Sequence, residues 1–459
     1  MSIYQALFEE QRAYFNTDIT KSYEWRLDQL ARMEAMMKDN YDAFCAALGA
    51  DFKTASGEQH SEINATIGSI EFIRSQLAEW MKPVEAAIPT FLSAVGSKGM
   101  IQRDPFGVAL IIGPFNGPVI LLLHPALTAI AAGNPVMMKV SSGIPATAGL
   151  LLELVPTYFQ KEAVSITSGD REVVEQLLKI PYDFIFFTGS VAVGKVIMRA
   201  AAEHLTPVLL ELGGQNPAIV DQTANIKEAA RKIVWGATAW GGQWCTSPGY
   251  AYVHESVVDE FNEEAKKALI EMYGTDPKNN PDYTKIISPN AVTRLVSLID
   301  PAKVIAGGYF DAEARYLAPT LLYPVLWTDK IMEDEIFGPM LAIMTYSDLT
   351  EAVAEIKKAP KPLAAYIFSK DQPTIDYLLH TLSFGGGTVN HVNIHLFIET
   401  MPFGGVGSSG IGSYYGKYGF DSLTHPKSIL HTPDDFTIEH LYAPFTEEKI
   451  KENDLWYNY

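Results

Sequence analysis

A strand, a turn and the start of a helix are predicted by the stretch Phe184-Ile185-Phe186-Phe187-Thr188-Gly189-Ser190-Val191-Ala192-Val193-Gly194-Lys195. Its apolar start suits a buried strand, and a helical pattern follows over residues 191–204. Backbone N–H groups and the dipole at a helix start favour a phosphate group. The glycines are spaced Gly-x4-Gly rather than Gly-x-Gly-x2-Gly, so a turn that merely closes a strand is an equally good interpretation of these residues alone.

Similar units repeat on both sides of this stretch. Short apolar runs alternate with helical patterns, which predicts an α/β fold with a doubly wound parallel sheet. The predicted strands of this first sheet are residues 108–112, 136–140, 163–167, 184–188 and 208–211. A second alternating series predicts a second α/β domain, with strands at 250–254, 340–346, 363–368 and 387–390 and helices at 226–240, 256–273 and 349–358.

The chain of 459 residues is too long for one small core. We predict a dinucleotide-binding domain over residues 1–82 and 104–211 and a catalytic domain over 212–400. Residues 83–103 and 401–459 are predicted to form a small bridging or oligomerisation element. The boundary falls at Glu211-Leu212-Gly213-Gly214, where two glycines would give a flexible crossing and place Glu211 in the cleft between domains.

Charge and cysteine content exclude several classes of protein. The formal net charge is −19 and no stretch gathers Lys and Arg, which argues against nucleic-acid binding. The two cysteines, Cys45 and Cys245, make neither a disulfide framework nor a Cys-rich zinc site. A reducing compartment is the simpler interpretation, so we predict a cytoplasmic protein.

No segment predicts export or membrane anchoring. The N-terminal residues lack the basic head and apolar core of a secretory signal, and the last residues are polar. The apolar run 117–138 contains Pro125, Gly133, Asn134 and Pro135, so we interpret it as a buried helix followed by a strand.

Two glycine-rich motifs carry a candidate nucleophile and a candidate base. Cys245 lies in Gly241-Gly242-Gln243-Trp244-Cys245-Thr246, and Glu211 opens Glu211-Leu212-Gly213-Gly214-Gln215-Asn216-Pro217. Glycine lets backbone approach a ligand closely, although a lone cysteine is more often a small buried apolar residue. Asn116, in Gly113-Pro114-Phe115-Asn116, could donate a hydrogen bond to an oxyanion, but alone it is more simply a turn residue.

Taken in order from about residue 4 to residue 430, these motifs resemble the aldehyde dehydrogenase superfamily, and most closely its class 3 branch of fatty, aromatic and coniferyl-type enzymes. The resemblance implies NAD(P)-dependent oxidation of an aldehyde to a carboxylic acid. Cys245 would form a thiohemiacetal and then a thioester, and water activated by Glu211 would hydrolyse the thioester. Asn116 and the backbone N–H of Cys245 would hold the oxyanion. The branch also implies a homodimer.

Two other functions stay open. A CoA-acylating aldehyde dehydrogenase would pass the acyl group to CoA rather than to water, but such enzymes tend to lack the glutamate found at Glu211. A nonenzymatic binding or structural relative would be expected to lose Cys245, Glu211 or Asn116, and all three are present.

The resemblance also implies contacts with the cofactor, NAD or NADP. They are Gly189, Ser190 and Gly194 of the opening stretch, Lys139 and Ser142 after an earlier strand, and Glu335 and Phe337 of Glu335-Ile336-Phe337-Gly338-Pro339. Many family members have a glutamate at the position of Ser142, and a carboxylate there would repel the 2′-phosphate of NADP. We therefore predict that NADP is accepted.

No metal is predicted, because His391-x3-His395 lacks the metalloprotease glutamate and follows a strand. For the substrate tunnel we predict Gly117, Trp235, Trp244, Ile394 and Phe397, with ordinary core packing as the alternative for each. The sequence leaves long aliphatic and aromatic aldehydes equally open as substrates.

Overall fold

The structure is a computed structural model, and it describes residues 2–452. Within that range the strands are β1 (Val84–Ala86), β2 (Lys98–Pro105), β3 (Ala109–Ile112), β4 (Val136–Ser141), β5 (Val164–Gly169), β6 (Phe184–Gly189), β7 (Val208–Leu212), β8 (Asn216–Val220), β9 (Pro248–His254), β10 (Val304–Ala306), β11 (Phe310–Asp311), β12 (Tyr316–Leu317), β13 (Thr320–Leu322), β14 (Met340–Tyr346), β15 (Ala364–Phe368), β16 (Gly386–Val389), β17 (Gly410–Ile411) and β18 (Thr424–His431).

The α-helices of the same range lie between and around these strands. They are α1 (Ile3–Phe15), α2 (Tyr23–Asp39), α3 (Tyr41–Asp51), α4 (Ser56–Trp80), α5 (Thr90–Ala94), α6 (Ile120–Ala132), α7 (Pro145–Tyr158), α8 (Arg171–Leu177), α9 (Val191–Ala202), α10 (Ile226–Thr238), α11 (Val258–Tyr273), α12 (Pro289–Val296), α13 (Leu349–Lys358), α14 (Gln372–Thr381), α15 (Gly416–Ser422) and α16 (Glu447–Glu452).

The first sheet contains the opening stretch as its strand β6. Its order is β17-β7-β6-β3-β4-β5, and every pair is parallel except β17 with β7. Helices α2, α3, α4, α6 and α7 pack together on one face of this sheet around a large apolar core. All five strands predicted for this sheet are confirmed within one or two residues.

The second sheet has the order β10-β13-β14-β9-β8-β15-β16 and is parallel except for the edge strand β10. Its four predicted strands are confirmed, but the interior strands β8 and β13 and the edge strand β10 were not predicted. Pro217 lies inside β8, and proline normally argues against a central strand because it has no N–H to donate. A register shift between Asn216 and Pro217 accommodates it against β9.

A third, three-stranded sheet has the order β1-β2-β18. Strand β18 pairs with β2 from Thr424↔Pro105 to His431↔Lys98, and so joins residues 83–105 to the later part of the chain. The division into the three predicted parts stays a prediction. The apolar run 117–138 forms the buried helix α6 and the first residues of β4, as predicted. Across residues 2–452, no helix combines the length and the apolar character needed to cross a bilayer.

Candidate active site

Cys245 lies on a tight loop that follows α10. The helix ends at Thr238, and Trp240, Gly241 and Gly242 then adopt positive φ angles of 57°, 63° and 67°. A Cβ atom on Gly242 would overlap the backbone at Gly338, so only glycine fits there. The loop that carries Cys245 therefore rests directly, backbone against backbone, on the loop that follows Glu335.

Asn216 fixes the carbonyl side of the same loop. Its Nδ2 donates hydrogen bonds to the carbonyl oxygens of Cys245 (2.8 Å) and Ser247 (2.9 Å), and its Oδ1 accepts one from the N–H of Ala364 (2.8 Å). The side chain is fully buried at the start of β8. Asn216 was not predicted as a site residue, because the strand that it begins was not predicted either.

Cys245 and Asn116 line the same cavity, which is walled mainly by apolar side chains. Asn116 is buried in the turn before α6. The lining residues are Ser61, Glu62, Ala65, Asn116, Ile120, Leu121, Trp240, Trp244, Cys245, Thr246, Leu396, Phe397, Phe403 and Tyr415.

The predicted tunnel residues separate into two groups. Trp244 and Phe397 line the cavity. Trp235 packs behind Trp244 with its ring centroid 5.8 Å away, Ile394 is 39% exposed on the turn that leads to Phe397, and Gly117 faces the side chain of Leu121. Among the described residues, the lining set therefore omits Gly117, Trp235 and Ile394.

Glu211 is a buried carboxyl group near the carboxyl end of β7, next to the edge strand β17 of the first sheet. It pairs with Thr188 of β6 on one side and with Gly410 of β17 on the other. The residue is 3% exposed, and neither Oε1 nor Oε2 has a hydrogen-bond partner among residues 2–452. Burial without partners raises the pKa of Glu211 well above its usual value. A buried carboxyl with open lone pairs is suited to take a proton from water.

The electrostatic setting of Cys245 favours the protonated thiol. Burial raises its pKa most, and the carboxyl groups of Glu335 and Glu211 raise it further. The backbone N–H groups of Cys245 and Thr246 donate toward Sγ and act in the opposite direction, but more weakly. The thiolate therefore needs a positive charge or a displaced carboxylate before it can form in quantity.

Glu335 lies beside the crossing between the sheets. Its carboxylate fills the space that a side chain at Gly213 would occupy, and the backbone of Gly214 hydrogen-bonds to it. Burial raises the pKa of Glu335 to about 8. Its loop is held by Gln215, whose Nε2 donates to the carbonyl of Asp334 at 2.6 Å. The Oε1 atom of Glu335 is buried without a partner, which leaves it open to a ligand hydroxyl.

Phe337 follows with a φ of 49°, and its ring centroid lies 5.7 Å from that of Phe115, next to Asn116. Phe337, a predicted cofactor contact, therefore packs the loop that carries Glu335 against the turn that carries Asn116.

The opening stretch places a helix N-terminus at the edge of the first sheet. Ser190 caps α9 by accepting a hydrogen bond from the N–H of Val193 at 3.4 Å, directly after Gly189 ends β6. A Cβ atom on Gly194 would come within 2.7 Å of the Leu212 side chain, so glycine allows α9 to pack against β7. The N-terminal turn of α9 is the type of site that binds a pyrophosphate.

Lys139 and Ser142 lie at the carboxyl end of β4, which is separated from β6 in the sheet by β3. Lys139 is 7% exposed, and burial lowers its pKa while Asp170 raises it. Ser142 is exposed just beyond the strand. A nearly buried lysine, an open helix N-terminus and the unpartnered carboxyl oxygen of Glu335 together fit a phosphate-bearing dinucleotide with free ribose hydroxyls.

Two buried tyrosines were not predicted as site residues. Tyr415 lines the cavity, and its ring lies 4.7 Å from the ring of Tyr414. Burial raises the pKa of Tyr414, and Cys245 and Glu211 contribute to the same shift. The interleaved aromatic residues of the glycine-rich segment 402–420 were the only sequence signal. Within residues 2–452, no group of three or more His, Cys, Asp or Glu side chains is placed to hold a metal ion.

Comparison with known proteins agrees with this arrangement. Residues 5–429 match the aldehyde dehydrogenase family. The chain is 40% identical over 433 residues, 94% of each protein, to the 4,4'-diaponeurosporen-aldehyde dehydrogenase of Staphylococcus aureus strain NCTC 8325 / PS 47. It is 38% identical to the dimeric NADP-preferring aldehyde dehydrogenase of Canis lupus familiaris, covering 97% of this chain and 98% of that protein.

Similarity extends to class 3 relatives and to a solved structure. Aldehyde dehydrogenase family 3 member A2 of Pongo abelii is 38% identical, with 91% of this chain and 86% of that protein covered. The structure of the substrate-bound state of Staphylococcus aureus AldH matches with a TM-score of 0.96 and 38% identity, and covers all of both chains.

The fold and these relatives define a nicotinamide-dependent oxidoreductase. The chain belongs to the aldehyde dehydrogenase family, as predicted, and most resembles its class 3 members. It is an enzyme that oxidises aldehydes to carboxylic acids with NAD or NADP.

Proposed function

We propose that Cys245 is the nucleophile, Asn116 an oxyanion donor and Glu211 the general base of this oxidation. The observation that carries the proposal is that Cys245 and Asn116 line one apolar cavity, while Glu211 lies buried and unpartnered close enough to affect the pKa of Cys245. Each residue type matches its task, since a thiolate attacks carbonyl carbon, an amide donates to oxygen, and a carboxylate accepts a proton.

The acylation step uses the first two residues. Sγ of Cys245 bonds to the aldehyde carbon, and the carbonyl π electrons move to the oxygen. Asn116 Nδ2 and the backbone N–H of Cys245 donate hydrogen bonds to that oxyanion. Bound nicotinamide supplies the hydride acceptor. As the oxyanion collapses to a carbonyl, the C–H bond of the former aldehyde breaks and its hydrogen leaves as hydride, so Cys245 is left carrying the acyl group as a thioester.

Hydrolysis depends on Glu211. Its carboxylate takes a proton from water, and the water oxygen attacks the thioester carbon. The C–S bond then breaks, Cys245 leaves as thiolate, and the carboxylic acid is released. The same carboxyl favours water over CoA as the acceptor, which is why we place the CoA-acylating reaction second.

The cavity supports an apolar aldehyde as substrate. The side chains of Ile120, Leu121, Leu396 and Phe397 in the cavity wall carry no group that would hydrogen-bond a hydroxylated or charged chain. Among the relatives, that of Staphylococcus aureus is named for 4,4'-diaponeurosporen-aldehyde. We propose that Lys139, Ser142, the N-terminus of α9, Glu335 and Phe337 hold the cofactor.

The proposal is tested by following reduced-nicotinamide absorbance with a panel of aliphatic, aromatic and hydroxylated aldehydes, each with NAD and with NADP, and with and without CoA. We expect turnover with apolar aldehydes, release of free acid, and no stimulation by CoA. Acyl-CoA as the main product, or faster oxidation of hydroxylated than of apolar aldehydes, would contradict the proposal.

Cofactor choice gives a sharper prediction at Ser142. Changing Ser142 to glutamate introduces a carboxylate beside the expected position of the 2′-phosphate, next to Lys139. We expect the KM for NADP to rise about 10-fold or more, because like charges at short range cost more than 1 kcal/mol even with partial screening, while the KM for NAD changes little. Ser142→Gln, of equal size without charge, is the control. Equal changes for both cofactors in the glutamate variant would refute an electrostatic role.

We also propose a cytoplasmic homodimer. A relative is named as dimeric, and among residues 2–452 the edge strand β18 pairs with β2 alone, which leaves its outer edge available to a second copy. Sedimentation velocity of the purified chain would measure the mass, and a monomer at micromolar concentration would contradict the proposal.

A further inference from the structure

A charged pair lies beneath the wall of the apolar cavity. Lys53, just after α3, contacts Glu62 of α4 through an ion pair, and both side chains are completely buried. Glu62 also lines the cavity. Burying two charges costs solvation energy, and a well-packed apolar pair would give equal or better stability. The pair therefore calls for a role other than stability alone.

Glu62 holds the element that carries Asn116. Its Oε1 accepts hydrogen bonds from the N–H groups of Val119 (2.8 Å) and Ile120 (3.2 Å). N–H groups at the start of a helix such as α6 have no partner within the helix, and here Glu62 supplies one. Asn116 lies three residues before Val119. The carboxylate thus anchors the turn that presents the Asn116 amide to the cavity.

Lys53 holds the element that carries Cys245. Its Nζ lies 3.1 Å from the ring centroid of Trp240, a cation–π contact in a dry environment. The N–H of Trp240 is fixed at the same time by Glu58 Oε1 at 2.6 Å. Trp240 is the first positive-φ residue of the turn that leads to Cys245.

We propose that Glu62 and Lys53 are positioning residues that set the distance between the Asn116 amide and the Cys245 thiol. One end of the ion pair is tied to the Asn116 turn and the other to the Cys245 turn, so the pair bridges the two halves of the oxyanion site. The inference rests on the roles proposed for Cys245 and Asn116.

The test compares an ion-pair variant with a matched cap variant. Glu62→Gln removes the charge, and Asp51→Asn weakens a similar contact in which Asp51 accepts from the N–H groups of Ala146 (2.9 Å) and Thr147 (2.8 Å) at the start of α7. Among the described residues, α7 contributes nothing to the cavity lining. Both variants are expected to melt at lower temperature than the wild type.

Only Glu62→Gln should slow acylation. We expect the pre-steady-state rate of reduced-cofactor formation at saturating aldehyde to fall about 10- to 100-fold, since a misplacement of about 1 Å can cost that much, with the KM for aldehyde within about 3-fold of wild type. Asp51→Asn should keep the acylation rate within about 2-fold of wild type.

The double variant Lys53→Met/Glu62→Leu separates position from stability. An apolar pair of similar volume removes the buried charges but leaves the N–H groups of Val119 and Ile120 unpaired, so the melting temperature should recover in part and the acylation rate should not recover. This variant also decides the question if Glu62→Gln fails to fold. A double variant with the wild-type rate would overturn the inference.

Asn116→Ala serves as the reference for the proposed function. Loss of one oxyanion donor should slow acylation about 10²- to 10³-fold. An unaffected Asn116→Ala would refute the proposed oxyanion role itself, whereas a slow Asn116→Ala beside a fast double variant would refute only the positioning role.

Discussion

Cys245→Ala is expected to abolish aldehyde oxidation, with a fall in kcat of about 10⁴-fold or more. Without the thiol there is no atom to bond to the aldehyde carbon, and the remaining oxyanion donors have no adduct to stabilise. Reduced-nicotinamide absorbance measures the loss. Cofactor binding, followed by thermal shift with NADP, should be kept, because the proposed cofactor contacts lie outside the substituted side chain.

The chain supplies its own control for this variant. Cys45, the other of the two cysteines, lies half-buried on α3, with Sγ 3.7 Å from Nδ1 of His60. Cys45→Ala should keep wild-type activity and should keep its sensitivity to iodoacetamide. If Cys45→Ala were inactive and Cys245→Ala active, the nucleophile would be misassigned.

Glu211→Gln is expected to uncouple the two halves of the reaction. Reduced cofactor should appear in a burst of about one equivalent per site, followed by turnover about 10²- to 10⁴-fold slower than wild type, since the amide cannot accept the proton of water. Stopped-flow absorbance measures the burst. Hydroxylamine, which attacks a thioester without a general base, should restore turnover in the variant. Wild-type steady-state turnover would contradict the assignment.

The raised pKa of Glu211 adds a pH test with a defined sign. Only the ionised carboxylate is a base, so hydrolysis in the wild type should become faster as pH rises, and Glu211→Gln should lose that dependence.

The same carboxyl group makes stability depend on pH. The unfolded chain releases the proton of Glu211 near pH 4.5, while the folded protein keeps it to higher pH. Stability is therefore lost as pH rises above that value. Glu211→Gln should melt at a higher temperature than wild type near about pH 8, and at a similar temperature near about pH 4.

The strand pattern could be predicted because most strands of both sheets are buried on two faces and appear as continuous apolar runs. Strand β8 escaped prediction since it begins with Asn216-Pro217, and both residues normally end or avoid a strand. The structure tolerates Pro217 because the pairing with β9 shifts register there. It tolerates Asn216 because the side-chain amide hydrogen-bonds to the carbonyl of Cys245 and to the N–H of Ala364.

Site residues differed in how much the sequence revealed. Cys245 and Asn116 lie in turns beside glycines, and Glu211 lies on a strand just before a glycine pair, so each has a pattern that is visible locally. Glu62 gave no local signal, because its role depends on Lys53 and on two N–H groups of α6 that lie 57 and 58 positions away in the sequence. Pairings of that kind are made by helix packing, which single-sequence patterns do not encode.

The contact of Gly242 with the backbone at Gly338 fixes the loop that carries Cys245 through main chain alone, whereas the cavity wall consists mainly of exchangeable side chains. Because main chain contacts main chain at this point, any variant that keeps the two glycines should also keep the position of the Cys245 loop. Trp244 and Phe397 line the cavity with side chains that can be exchanged. Selection for new aldehydes can therefore reshape the cavity wall while the oxidation chemistry stays as it is, and combinatorial libraries gain most by sampling those side chains.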